Sequence, residues 1–468
     1  MKKHLSLSVA GASLLALLLV GCGGSGEGKI QVVVGMWPQA QQKEDVNMFT
    51  VWKERFEADH PEYEIVAQPY TYSSETVTQM ALAGTLPTIF QTYFTEPPML
   101  IDGGIIRPVT ELVKEVGYYD DMDPFMRETL EDENGELYGV PRDGYGFGML
   151  LNLKTLNMYG LIDGDYSKHE YVLHDESGNP LYPTTFEELH DFCQELYENS
   201  GESVAGTMIY SANKQGGWLL SNFAWSFGAT LEVKENGAWR GNLATEEMVD
   251  TLEYVQRLKT DGCLVPDTNI TYNDWYNKIN EQVGLVFVGN DVVQNAVTQA
   301  GVDRQDIAFV PMPEGPGGRY TLYGGTPYVF SADASDEQVR GALLFLEYMG
   351  RAPIMSEACK TAMEEGKEVS LQKNEPIIPS IRPWTNEEYN AYADELDEKY
   401  VNVNMEYFED FYDSVNDMRH PEVEHYAQEM YAQLDKAVYS SLTNPTRSRE
   451  EIMNQLITIN AEWNRNFK

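Results

Sequence analysis

The chain has little cysteine: four in 468 residues, at Cys22, Cys193, Cys263 and Cys359. None forms a CxxC, and the three beyond Cys22 are odd in number and far apart. A disulfide framework is not expected, and buried free thiols are. Histidine is sparse too, with seven residues and no cluster. HExxH is absent, and His420 and His425 are five apart, which does not put both on one helical face. No metal centre and no cofactor are expected. The GxSxG turn of a nucleophilic serine is also missing. The GPGG run at 315–318 lacks the Lys-Ser or Lys-Thr of a phosphate loop. The DENG run at 132–135 is no calcium loop, because Leu130 and Pro141 stand where that template needs acids. Cations are outnumbered, 33 against 74 Asp and Glu, for a net charge of −41. Such an excess repels phosphates, which argues against nucleic acid as a partner and against close contact with anionic lipid.

Long apolar runs are lacking except at the start. Residues 5–20 are apolar behind Lys2, Lys3 and His4. The run is too short to span a bilayer comfortably, which takes about 20 apolar residues. It fits a secretory signal with small residues at the cut. The Leu-Val-Gly-Cys sequence at 19–22 resembles a bacterial lipoprotein box. That resemblance implies removal of residues 1–21, lipidation of Cys22 and an anchored, extracytoplasmic chain. The glycine- and serine-rich residues 22–29 then read as a flexible tether.

What is present reads as a globular chain, with 29 tyrosines and eight tryptophans, too long for one core and suited to two domains. Strands are expected at 30–36, 63–68 and 88–92, alternating with helices at 45–59 and 74–83. This alternation predicts an α/β fold with a largely parallel sheet. Residues 145–152 read as a further strand. Helices follow at 185–198, 218–227, 246–260 and 272–282, then strands at 284–288, 306–311 and 323–331. Helices are expected again over 336–350, 386–399, 405–416, 421–442 and 447–466. Residues 163–184 read as an insertion with a turn at 175–179.

In order, AGTLPTI at 83–89, GGIIRPVTEL at 103–112, LYGVPRDGY at 137–145, LNLK at 151–154, TTFEEL at 184–189, GLVFVGND at 284–291 and the glycine pair 324–325 resemble the extracellular solute-binding proteins of ABC transporters, the carbohydrate-binding family related to maltose-binding protein. The resemblance runs over most of residues 30–350. It implies two hinged α/β lobes around a central ligand cleft, of the class II periplasmic-binding type. The N-terminal lobe is expected over 30–142 plus 311–355, and the C-terminal lobe over 143–310 plus 356–468. The implied function is capture of a carbohydrate, an oligosaccharide by expectation, and its delivery to an ABC permease, by a monomer that performs no chemistry. A secreted glycoside hydrolase and a binder of a non-sugar solute are the alternatives.

Sugar rings have apolar faces and polar edges, so their sites pair flat aromatics with carboxylates and amides. Trp37 follows the first strand at its carboxyl end. Tyr93 and Glu96 occupy the equivalent loop after the strand ending at Thr92. Asp143 and Tyr145 sit at the first expected lobe crossing, beside Arg142, which is read as a hinge salt bridge rather than a reader of uronic acids. Trp218 and Trp225, seven apart, share a helix face behind two glycines. Asn290 and Asp291 follow a buried strand. Gly325 and Tyr328 belong to the segment after the second crossing, where glycine permits close backbone approach.

Overall fold

The computed structural model describes residues 28–467. Cys22 and the signal-like run lie outside the described residues, so lipidation has no structural counterpart. Among the described residues, no helix is long and apolar enough to cross a membrane.

The strands are β1 (Ile30–Val34), β2 (Tyr63–Ala67), β3 (Ile89–Gln91), β4 (Gly139–Asn152), β5 (Asp163–Asp165), β6 (Glu170–Val172), β7 (Glu232–Glu235), β8 (Ala238–Gly241), β9 (Leu285–Gly289), β10 (Ile307–Pro311), β11 (Thr321–Phe330) and β12 (Arg419–His420). Eight belong to one sheet, with β10-β4-β11-β3-β1-β2 as its spine and β9 and β12 on β4 and β11. β1, β2 and β3 are parallel, as alternation with helices requires. The sheet as a whole is mixed, not largely parallel, because β11 runs antiparallel to both β3 and β4. The reason is topological. β4 carries the chain out of the first half and β11 carries it back, so the two must run in opposite directions.

β4 changes partners midway. Its residues 139–146 pair with β11, and residues 147–152 pair with β9 and β10. Side chains alternate faces along a strand, and β4 uses this in an unusual way. Gly144, Gly146 and Gly148 bare one face. A Cβ on Gly144 would lie 2.4 Å from Met126 and 2.8 Å from Ile381, and one on Gly146 would lie 2.9 Å from Val415. The helical C-terminal segment therefore seats directly on the strand backbone. Tyr145 and Phe147 occupy the opposite face, with Trp218 packed beside both.

Helices bury their apolar stripes on both halves of this sheet. In the first half, Phe56 of the helix Lys43–Asp59 packs on Phe345 and Tyr348 of the helix Asp336–Tyr348. In the second half, the helix Gln215–Ser226 lies against Ala427–Thr443 so closely that a Cβ on Gly217 would fall 2.4 Å from the Tyr431 carbonyl oxygen. Capping boxes at Thr185, Ser335 and Ser448 start three helices where the sequence offers Ser or Thr with Glu or Gln three residues on. Cys193, Cys263 and Cys359 are free and buried, as expected.

Three expectations differ from the structure. Residues 272–282 form only a 3-10 turn, Tyr272–Asn277, held by Asp274 accepting from the Thr271 backbone and by fully buried Trp275. The helix expected from 421 begins at Ala427, because β12 pairs with β11 and Tyr426 is left-handed at φ 55°. Glu357–Gln372 is a helix that hydrophobic periodicity does not reveal, since only Cys359 and Ala362 are buried in it. The insertion does form paired strands, β5 and β6, and Asp175 closes its turn by accepting from Ser177 and Asn179.

Candidate functional site

The site grows from β4. Opposite Thr326 the pairing slips: Pro141 faces Pro327 and Gly144 faces Gly325, so Arg142 and Asp143 together oppose one residue. That is a β-bulge, which re-aims side chains that strict alternation would send to opposite faces. The two side chains meet, with Arg142 Nη2 2.6 Å from Asp143 Oδ2 and Nε donating to the same oxygen at 2.7 Å. The only cation of this strand segment is therefore paired, in agreement with the hinge reading.

Tyr145 follows the bulge. Its ring lies over two glycines: a Cβ on Gly324 would sit 2.7 Å from its Cζ, and one on Gly289 would sit 3.2 Å from its Cδ2. Trp218 stands 6.3 Å away with the planes at 70°, and Tyr272 stands 5.5 Å from Trp218 at 66°. All three rings are half-buried. Trp218 is positioned by the entrance to its helix, where Asp435 accepts from the Lys214 and Gly217 backbone N–H groups at 2.6 and 2.9 Å. That carboxylate satisfies donors a helix start leaves open.

Carboxyls surround these rings. Asp291 lies just after β9, open to solvent but in a recess walled by protein. Desolvation there, with the charge of Asp143, pushes its pKa up to about 7 against the pull of Arg142. Glu422 accepts from Tyr431 Oη at 2.6 Å. Burial and the nearby Glu96 push it up to about 7 as well. Glu96 is 3% exposed and accepts from Tyr72 Oη; burial raises its pKa, which the Tyr72 bond opposes. Tyr93 leans edge-on against Tyr72 at 5.4 Å and is 50% exposed. A cavity of about 270 Å³ opens beside Glu96, between the segment 95–102 and residues 424–429 at the start of the last long helix pair.

Of the residues expected from sequence, the structure thus gathers Tyr93, Glu96, Asp143, Tyr145, Trp218 and Asp291. Asn290 is adjacent but 4% exposed, and its Oδ1 accepts from the Gly146 N–H where β4 changes partners. Gly325 and Tyr328 underlie the site. Phe94 covers Gly325, and Tyr328 is 1% exposed with Arg142 and Asp143 as its charged neighbours. Trp37 packs edge-on against Phe49 at 5.4 Å. Trp225 is buried, stacked on His420 at 4.0 Å. Neither tryptophan joins the cluster. Sequence reasoning misses Tyr72, Tyr272, Glu422 and Tyr431. Pro421 was the one available signal, since a proline here marks an interrupted helix and hence a loop able to carry Glu422.

Comparison with known proteins follows from this geometry. A family model described as bacterial extracellular solute-binding protein matches residues 42–355. Among curated protein sequences none matches at a significant level. Solved structures do. The GacH receptor of Streptomyces glaucescens GLA.O, described unliganded and with acarbose and an acarbose homolog, superposes with a TM-score of 0.67 at 15% identity, covering 94% of this chain and 100% of that one. The ABC substrate-binding protein Lmo0181 of Listeria monocytogenes, in complex with cycloalternan, gives 0.66 at 12%, covering 93% and 99%. UgpB of Mycobacterium tuberculosis, in complex with glycerophosphocholine, gives 0.65 at 14%, covering 94% and 98%. The fold is thus the two-lobed one of periplasmic sugar-binding proteins.

Proposed function

The chain belongs to the bacterial extracellular solute-binding proteins, and we propose that it captures a carbohydrate, an oligosaccharide, in the cleft around β4 and delivers it to an ABC permease without chemical change. The observation that carries this reading is the pairing of the half-buried Tyr145 and Trp218 rings with the carboxyls of Asp291 and Glu422. Rings offer apolar platforms to sugar faces, and carboxyls accept from hydroxyls. A phosphate-bearing solute fits poorly, because Arg142 is already neutralised by Asp143 and the carboxyls of Glu96, Asp291 and Glu422 outweigh Lys214, the cation beside Glu96. The same pairing disfavours uronic acids.

Family membership supports an extracytoplasmic location, and the lipoprotein-like box supports anchoring through Cys22; we propose a monomer. The lobes, taken as 30–142 plus 311–355 and 143–310 plus 356–468, hinge where β4 changes partners, at Gly146 and Phe147. Closure on ligand shifts a population between open and closed states, so the ligand must bind the closed form more tightly. The test is calorimetric titration of residues 29–468 with a panel of neutral and uronic oligosaccharides, with product analysis of each mixture. Micromolar or tighter binding of an intact sugar is expected. Cleavage would make it a hydrolase, and silence across the panel would remove carbohydrate as the ligand class.

A further inference from the structure

Resting on the carbohydrate reading, we infer that the cavity beside Glu96 is a second saccharide subsite, and that Lys214 is its hydroxyl-binding donor and the residue that makes the protein favour long ligands over short ones. The cavity, of about 270 Å³, lies between two walls. Residues from 74–75 and 95–102 form one wall, and Lys214 with residues 424–429 forms the other. Glu96 joins the cavity to the rings, because it lines the cavity and its charge acts on Glu422, which lies beside Trp218. Trp218 itself sits one helical turn beyond Lys214, its N–H donating to the Lys214 carbonyl at 3.1 Å. A saccharide seated on the rings therefore needs only greater length to enter the cavity.

The first argument is the Lys214 ammonium. A charge taken partly out of water is costly unless it is paired, and the other lysines obey this. Lys53, Lys259, Lys278, Lys360, Lys367 and Lys373 are half-buried too, and each ammonium bonds a carboxylate or a main-chain carbonyl. Lys214 is the exception among the described residues: its ammonium bonds nothing, although Glu75, Glu96, Asp102, Glu424 and Glu429 line the same cavity. Its three donors are left for the hydroxyl oxygens of a ligand. The second argument is the backbone. Asn213 and Lys214 are both left-handed, at φ 59° and 70°, and Tyr426 on the same wall is left-handed at φ 55°. Residues other than glycine rarely take this conformation, and a bulky one there is strained. Distant partners hold the strain. Asp435 accepts from the Lys214 N–H at 2.6 Å, and the Tyr426 carbonyl accepts from Trp463 Nε1 at 3.2 Å. Strain held in this way gathers at ligand sites, and here two such residues line one cavity.

The experiment titrates glucose, xylose and N-acetylglucosamine series, each from monosaccharide to hexasaccharide, into residues 29–468 as wild type, Lys214→Met and Lys214→Arg. In the series that binds, wild-type affinity should rise about 10-fold or more at the length that reaches the cavity. Lys214→Met should remove that step and leave the shorter members unaffected. Lys214→Arg, which keeps a charged donor, should retain most of it. The melting temperature of unliganded Lys214→Met should match the wild type, because the lost ammonium bonds nothing and the N–H to Asp435 remains. Should Lys214→Met fail to fold, Lys214→Gln takes its place, and a partial loss of the step is expected from its neutral donor. Equal loss at every length, no loss at any length, or a wild type without a length step would overturn the inference and leave the carbohydrate reading standing. No binding in any series would overturn both.

Discussion

Gly324 and Gly325 are neighbours on β11, and alanine at each should do opposite things. Gly324 faces Tyr145 in register. An added Cβ would sit 2.7 Å from Cζ and Oη of that ring and 3.1 Å from Cε1. Carbon contacts relax at about 3.5–4.0 Å, so the ring must withdraw by about 1 Å. The backbone beneath cannot give, because it is paired, but the ring is only half-buried and can. Gly324→Ala should therefore cost little stability and displace one wall of the site. Aromatic packing of this kind is worth about 0.5–1.5 kcal/mol, so affinity should fall about 2- to 12-fold. At Gly325 the added Cβ would meet Phe94 at 2.1 Å and the Asp143 carbonyl oxygen at 2.4 Å. Phe94 is buried, and the carbonyl is main chain. That clash falls under overpacking, at about 1–3 kcal/mol of folding stability. Titration with the tightest saccharide and urea unfolding on both variants read the two effects separately. A Gly324→Ala variant that binds like the wild type, or a Gly325→Ala variant that unfolds like it, would refute this account of how β11 supports the site.

Other consequences can be measured on the same material. Asn290→Ala removes the acceptor of the buried Gly146 N–H and should cost about 1–3 kcal/mol in urea unfolding, while Asn290→Asp, which keeps the oxygen, should cost less. Folded Asp291 and Glu422 hold protons up to about pH 7, which the unfolded chain releases near pH 4. Their contribution is therefore greatest at low pH and is lost as pH rises through that window. Arg142 and Asp143 face Asp291, and Tyr431 and Glu96 face Glu422, in both forms compared. The melting temperature of the wild type should accordingly fall relative to an Asp291→Asn, Glu422→Gln double variant between about pH 4 and pH 7. Arg142→Met leaves Asp143 without its partner; both side chains are partly exposed, so the loss should be about 1–2 kcal/mol, read by thermal unfolding.

Most of this architecture was legible because its elements are locally consistent. β1, β2 and β3, the helices around them and the capped helices from Thr185 and Ser335 carry their own periodicity and start signals. Residues 421–426 failed because β11, distant in sequence, pairs with Arg419–His420 and overrides local helical preference, whereas 272–282 turns only over Tyr272–Asn277, with Trp275 fully buried. The site was half legible. Tyr93, Glu96 and Asp291 follow strands, and Asp143 and Tyr145 sit within β4 at the expected lobe crossing, where position alone nominates a residue. Glu422 and Tyr431 arrive from 277 and 286 residues beyond Tyr145 in the chain, and no local pattern announces such a return. Trp218 and Trp225 show the limit of spacing. Both lie on one helical stripe, yet the helix turns one toward Tyr145 and presses the other onto His420.

That divergence supplies the most direct test of ligand capture around β4. Trp218→Ala and Trp225→Phe are titrated side by side with the saccharide that binds the wild type most tightly. The account predicts that Trp218→Ala weakens binding about 10-fold or more while Trp225→Phe, once shown to be folded, binds as the wild type does. Equal affinity in Trp218→Ala and the wild type would contradict it and move the ligand away from the β4 cleft.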